Sequence, residues 1–72
     1  MKKSSMEVGA WVRGLNFGTM TEEYAGAFTA LGVEGEDLPF VDDTMLLDEV
    51  GMTAKIHRLK MLRKIEELLQ CQ

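Results

Sequence analysis

The stretch Thr53-Ala54-Lys55-Ile56-His57-Arg58-Leu59-Lys60-Met61-Leu62-Arg63-Lys64-Ile65-Glu66-Glu67-Leu68-Leu69 decides the fold. At about 100° per residue, Leu59, Met61, Leu62, Ile65, Leu68 and Leu69 share one broad side, while Lys60, Arg63 and Lys64 lie opposite. The segment therefore reads as one long amphipathic helix, with Thr53 as its N-cap. Ile56 is the odd residue, in line with Lys60 and Arg63 at i, i+4 and i+7. An aliphatic group on a cationic face is either a single exposed side chain or the centre of a contact patch.

The chain before this helix supplies what its apolar side must cover. Val8, Trp11, Val12 and Leu15 fall at i, i+3, i+4 and i+7, the spacing of one buried helical face, and Ser4 with Glu7 forms a capping box at its start. Asn16-Phe17-Gly18-Thr19 reads as a break. Thr21 is a suitable N-cap for a second helix, with Glu22 and Glu23 where the helix dipole favours negative charge. Tyr24, Ala27, Phe28 and Leu31 make its apolar stripe and Gly32 closes it.

From Glu34 to Val41 the chain is too short and too punctuated for a standard helix, and a single turn around Asp37 to Phe40 is expected, with Pro39 tolerated in a first turn. Asp42 or Asp43 then caps a short helix through Thr44 to Val50, ended by Gly51. No stretch sustains the period-two alternation of a strand. The expectation is an all-α, compact five-helix bundle with a long C-terminal helix. Its bounds are residues 6–70, between a flexible N-terminal tail at 1–5 and a C-terminal tail at 71–72. Trp11, Tyr24 and the phenylalanines are assigned to the core, as are Met45, Met52 and Met61.

At 72 residues there is room for one small domain with a thin core. Its formal charge of −4 is unevenly placed: Ser5 to Val50 carries −9, Gly51 onward carries +3, and Lys2 with Lys3 adds the rest. An acidic flank and a basic flank attract a copy head to tail, in a manner weakened by salt. No apolar run approaches the ~20 residues of a membrane span. Met1 to Ser5 is not followed by the hydrophobic stretch of a signal peptide, so an intracellular protein, cytoplasmic or nuclear, is expected. Cys71 is the single cysteine, which excludes an internal disulfide and a cysteine metal cluster, and nothing around it marks a reactive thiol.

Catalytic chemistry finds no support. His57 is the single histidine, with no nucleophile and carboxylate at recognisable spacing, so its reading is a surface or half-buried helix residue. Beside a partner carboxylate it would make association pH-dependent near its unperturbed pKa of about 6.5. The acids from Glu34 to Glu49 lack the D-x-[DN]-x-[DN]-G pattern of a calcium loop. No catalytic, metal or cofactor residues are assigned. Lys55, Arg58, Lys60, Arg63 and Lys64 suit phosphates, but a pI near 4.8 opposes a polyanion and the aromatic residues are claimed by the core, so nucleic acid is disfavoured. A membrane-surface role conflicts with the need of the last helix to cover the core.

The ordered landmarks are Val8 with Trp11-Val12-Arg13-Gly14-Leu15, Tyr24 with Phe28, Val33-Glu34-Gly35-Glu36-Asp37-Leu38, Leu46-Leu47, Val50-Gly51-Met52 and His57-Arg58-Leu59-Lys60-Met61-Leu62. From Glu7 to Leu69 the series resembles the sterile alpha motif (SAM) domain, a five-helix interaction module. The chain departs from the family in two places: the connection from Phe17 to Tyr24 is longer than usual, and Ile56 stands where the family often has glycine.

The resemblance implies two association surfaces. Carried over by position, a mid-loop surface includes Glu34, Glu36, Asp37, Asp42, Asp43, Asp48 and Glu49. An end-helix surface includes Thr53, Lys55, Ile56, His57, Arg58 and Lys60. The acidic and basic halves of the chain fall on these two surfaces, so the expected function is a non-catalytic module that self-associates head to tail, as a polymer or a ring. The alternatives are a heterotypic pairing with another SAM domain and, in second place, a hairpin RNA.

Overall fold

The chain is seen in a computed structural model that describes residues 3–70. Helix α1 (Ser5–Leu15) starts at the expected capping box, where the Glu7 N–H donates to Ser4 Oγ at 3.2 Å and the Ser4 N–H to Glu7 Oε1 at 3.1 Å. It ends at Asn16, whose φ of 60° lies in the left-handed region that asparagine tolerates better than most residues.

The long first connection is ordered as a 3₁₀ turn, Gly18–Met20, which runs directly into helix α2 (Thr21–Ala30). Thr21 is not the N-cap of α2, as the sequence suggested. It is the first helical residue, and its Oγ1 accepts from the Phe17 N–H at 2.7 Å and donates to the Gly18 carbonyl at 2.9 Å, closing the turn. Within α2 the buried residues are Tyr24, Ala25 and Phe28, so Ala25 takes the inward place expected of Leu31, which is 47% exposed. The helix closes in a Schellman arrangement: Gly32 has φ 70°, its N–H donates to Thr29 and the Val33 N–H donates to Phe28.

A 3₁₀ segment spans Gly35–Phe40 and buries Leu38. Helix α3 (Asp43–Met45) is capped by Asp42, which accepts from the Met45 N–H at 2.8 Å. The helix widens at once into a π turn, Leu46–Val50, so that the Gly51 and Met52 N–H groups both reach the Leu46 carbonyl. Gly51, at φ 80°, turns the chain toward helix α4 (Lys55–Gln70). Ala54 rather than Thr53 occupies the cap position of α4, its carbonyl accepting from the His57 and Arg58 N–H groups.

The five expected helical elements are thus present, with the added turn at Gly18–Met20, and there is no strand among the described residues. Val8, Val12, Tyr24, Phe28, Leu38, Leu46, Met52, Met61 and Ile65 form the shared core. Four assignments change. Phe40 is 75% exposed and Leu59 52% exposed, and Trp11 and Met45 pack half-buried at the edge. The folded unit also reaches into the segment read as a tail, because the Gly35 N–H donates to the Lys3 carbonyl at 2.8 Å. The tail expectations for Met1, Lys2, Cys71 and Gln72, and the reading of the Cys71 thiol, lie outside the described residues.

Candidate interaction surfaces

Three of the residues assigned to the end-helix surface turn out to hold the start of α4 in place. Arg58, with a side chain only 11% exposed, donates from Nε to Asp43 at 2.7 Å and from Nη1 to the Met52 and Thr53 carbonyls at 2.9 and 3.0 Å. One guanidinium fork thereby joins α3, the 51–54 linker and α4. Lys60 Nζ donates to the Asn16 carbonyl at 2.6 Å and lies 4.9 Å from the centre of the Phe17 ring. Half-buried His57 places Nδ1 2.6 Å from the Tyr24 hydroxyl, and the rings of Phe17, Tyr24 and His57 meet edge to face, with centroids 5.3 to 5.4 Å apart. Burial, and secondarily the neighbouring Glu23 carboxylate, raises the Tyr24 pKa above its ordinary 10.0.

What faces solvent at this end is Thr53, Lys55 and Ile56, the last 69% exposed. Leu59, one turn on, extends the aliphatic surface of Ile56, since residues three apart on a helix are neighbours. Lys55 has no ion pair among the described residues. Ile56 is therefore half of an exposed aliphatic pair.

The mid-loop acids divide into five environments. Asp43 is paired with Arg58, so it belongs with the start of α4, and Asp42 is occupied as the α3 cap. Glu34 and Glu36 line a polar cleft with Lys3, Ser4 and Glu7. Asp48 is exposed. Asp37 and Glu49 lie at a different feature, a mainly apolar groove of about 380 Å³ whose walls include Leu31, Val33, Phe40, Met45 and Val50. The Asp37 carboxylate is oriented by the Glu34 N–H, at 3.1 Å.

The groove was not visible in the sequence. Leu31 continues the period of α2 and Phe40 is a large aromatic residue, and both features ordinarily mean core. The one local hint for Phe40 is its place beside Pro39 at the end of a short 3₁₀ segment, where no long periodic face exists to turn it inward.

This succession of elements, with the start of α4 exposed beside Ile56, agrees with a direct family match: residues 2–69 match the SAM domain (sterile alpha motif) family. The chain belongs to the SAM family. No curated protein and no solved structure gives a significant match.

SAM domains are generally non-catalytic protein–protein interaction modules. Among the described residues no helix is long and apolar enough to cross a membrane. In this SAM domain both departures from the family pattern have a structural consequence. The additional residues of the first connection become the turn closed by Thr21, which positions Phe17 under Lys60. The residue in the place of the frequent glycine, Ile56, projects into solvent.

Proposed function

We propose that this SAM domain associates head to tail, the Ile56–Leu59 pair of one copy seating in the Leu31–Phe40 groove of the next while Lys55 approaches Asp37 and Glu49. The observation that carries this reading is the coexistence of two exposed apolar features, a projecting aliphatic pair with a free cation at its edge and a receiving groove with carboxylates at its rim. A protruding surface that meets a recessed one gives a heterologous contact, which propagates as an open filament or closes as a ring.

The apolar part dominates. Burying a large aliphatic or aromatic side chain contributes about 1.5–3 kcal/mol, whereas a solvent-exposed ion pair contributes about 0–1 kcal/mol. Ile56, Leu59, Leu31 and Phe40 are each only partly exposed, and association costs roughly 4–15 kcal/mol of lost freedom, so a small surface of this kind supports weak, concentration-dependent assembly. The hairpin-RNA alternative gains no support: Arg58 and Lys60 are engaged within the fold, and Arg63 and Lys64 both lie near Glu67.

Sedimentation velocity across protein concentration tests the reading with two charge-neutral variants, Ile56→Gln and Phe40→Gln. Wild type should form a growing series of species, each variant alone should remain monomeric, and their mixture should stop at a dimer because one good surface survives on each. A mixture that stays monomeric while wild type assembles would refute the pairing of these two surfaces.

A further inference from the structure

We infer that Met45 is an oxidative modification site that governs the groove: conversion of its thioether to the sulfoxide by a peroxide closes the Leu31–Phe40 groove to an aliphatic occupant. The inference rests on the docking role proposed above and adds a means of its regulation.

Met45 is the last residue of α3, and its half-buried side chain packs against the core and also forms part of the groove wall. A groove of about 380 Å³ admits molecules the size of water, about 30 Å³ each, so a small peroxide reaches this wall while no partner fills it. Met52 and Met61 are fully buried and shielded from the same oxidant. Met6, 75% exposed, and half-buried Met20 are open to it, but neither lines the groove. Met45 is thus the methionine at which oxidation and docking meet.

The reaction draws on the oxidant alone. A sulfur lone pair attacks one peroxide oxygen, and an S–O bond forms as the O–O bond breaks. The proton on the transferred oxygen passes to the leaving oxygen, which departs from hydrogen peroxide as water; sulfur is oxidised by two electrons and the peroxide reduced by two. A flexible apolar side chain becomes a polar one that accepts hydrogen bonds.

The groove cannot satisfy that acceptor once it is filled. Apart from Met45, the side chains of its walls are hydrocarbon or aromatic, except for the carboxylates of Asp37 and Glu49, so none offers an N–H or O–H. In the empty groove water supplies the missing donor. When Ile56 and Leu59 of another copy expel that water, the sulfoxide oxygen is left unpaired, because the one incoming cation, Lys55, is directed to Asp37 and Glu49 at the rim. The penalty therefore falls on the docked state and not on the free domain.

The experiment uses an acceptor with its end helix disabled (Ile56→Gln) and a donor with its groove disabled (Phe40→Gln). The acceptor alone is treated with hydrogen peroxide, freed of oxidant and titrated with donor, while peptide mass spectrometry reads sulfoxide at each methionine. Met45 should oxidise well ahead of Met52 and Met61, and the oxidised acceptor should bind about ten- to a hundredfold more weakly while its helical circular dichroism is kept. A second acceptor, Ile56→Gln with Met45→Leu, keeps Met6 and Met20 and should bind before and after peroxide alike. If Met45 stays reduced, if its oxidation leaves binding unchanged, if binding is lost only with the helical signal, or if the Met45→Leu acceptor is equally sensitive, the inference is overturned while the groove remains a docking surface. If the untreated acceptor does not bind the donor, the groove reading and the inference fall together.

Discussion

Alanine at three glycines tests the packing of α1 on α2, because the structure assigns opposite signs to chemically identical changes. In a helix interior, glycine to alanine is worth about 1 kcal/mol of intrinsic propensity. At Gly26, inside α2, and at Gly14, in the last turn of α1, an added Cβ meets nothing within 4 Å, so that gain should be realised in full at Gly26 and in part at the more terminal Gly14. At Gly9 the Cβ would lie 2.5 Å from Thr29 Oγ1 and 3.4 Å from the Ala25 carbonyl. Thr29 must then rotate, losing its hydrogen bond to the Ala25 carbonyl at 3.1 Å, or the two helices must separate. A lost hydrogen bond costs about 0.5–1.5 kcal/mol and overpacking about 1–3 kcal/mol.

Set against the propensity gain, Gly9→Ala should destabilise by about 1 kcal/mol, while Gly26→Ala stabilises by a similar amount. For a domain of this size 1 kcal/mol corresponds to about 4–8 °C in Tm, so the two variants should melt on opposite sides of wild type. Urea unfolding followed by circular dichroism and by Trp11 fluorescence measures the difference. In a Thr29→Ala background the obstructing oxygen is gone, and Gly9→Ala should change sign and stabilise. If Gly9→Ala is as stabilising as Gly26→Ala in the wild-type background, the close approach of α1 to α2 at this point is refuted.

Arg58→Ala should cost about 1–3 kcal/mol in thermal unfolding, since it leaves Asp43 unpaired and releases two carbonyls of the linker; Arg58→Lys, without the planar fork, should recover only part of it. Ile56→Gln should stay within about 0.5 kcal/mol of wild type in the same assay, whereas Leu46→Ala, at a fully buried position, should lose about 2–5 kcal/mol. Tyr24 ionises at a higher pH folded than unfolded, so its contribution is fully present below its ordinary pKa of 10.0 and is lost as pH rises through the folded value. The urea midpoint should therefore fall on the alkaline side, and Tyr24→Phe should flatten that limb. An unchanged alkaline slope in Tyr24→Phe would show that another group governs it.

Much of the architecture was legible because helix starts and stops are written in local chemistry. Ser4 with Glu7, Asp42, Gly32 and Gly51 each act within a few residues of themselves, and each does what its type and spacing implied. Thr21 and Thr53 are the exceptions, and both stand beside turns tightened by other contacts. Thr21 binds back to Phe17 and Gly18, while the Thr53 carbonyl is taken by Arg58, so a good capping residue type was present in a place where the cap was not its task. Periodicity located the core side of α4 through Met61 and Ile65 but overreached at Leu59, because a helix that leaves the core at its start exposes positions that the same angle buries further on.

The sequence by itself determined the helical elements, most of their ends, the core residues at the centre of each apolar stripe, and the family. Which charges are free was decided by the tertiary structure alone. Arg58 meets an acid 15 positions away and Lys60 a carbonyl 44 positions away, and no count of charges along the chain separates those cations from Lys55. The same holds for the groove: Leu31 and Phe40 are apolar by type, yet whether an apolar residue lines the core or a surface depends on which helices pass over it. Capping and periodicity act over one or two helical turns, whereas exposure and ion pairing are set by how the turns pack.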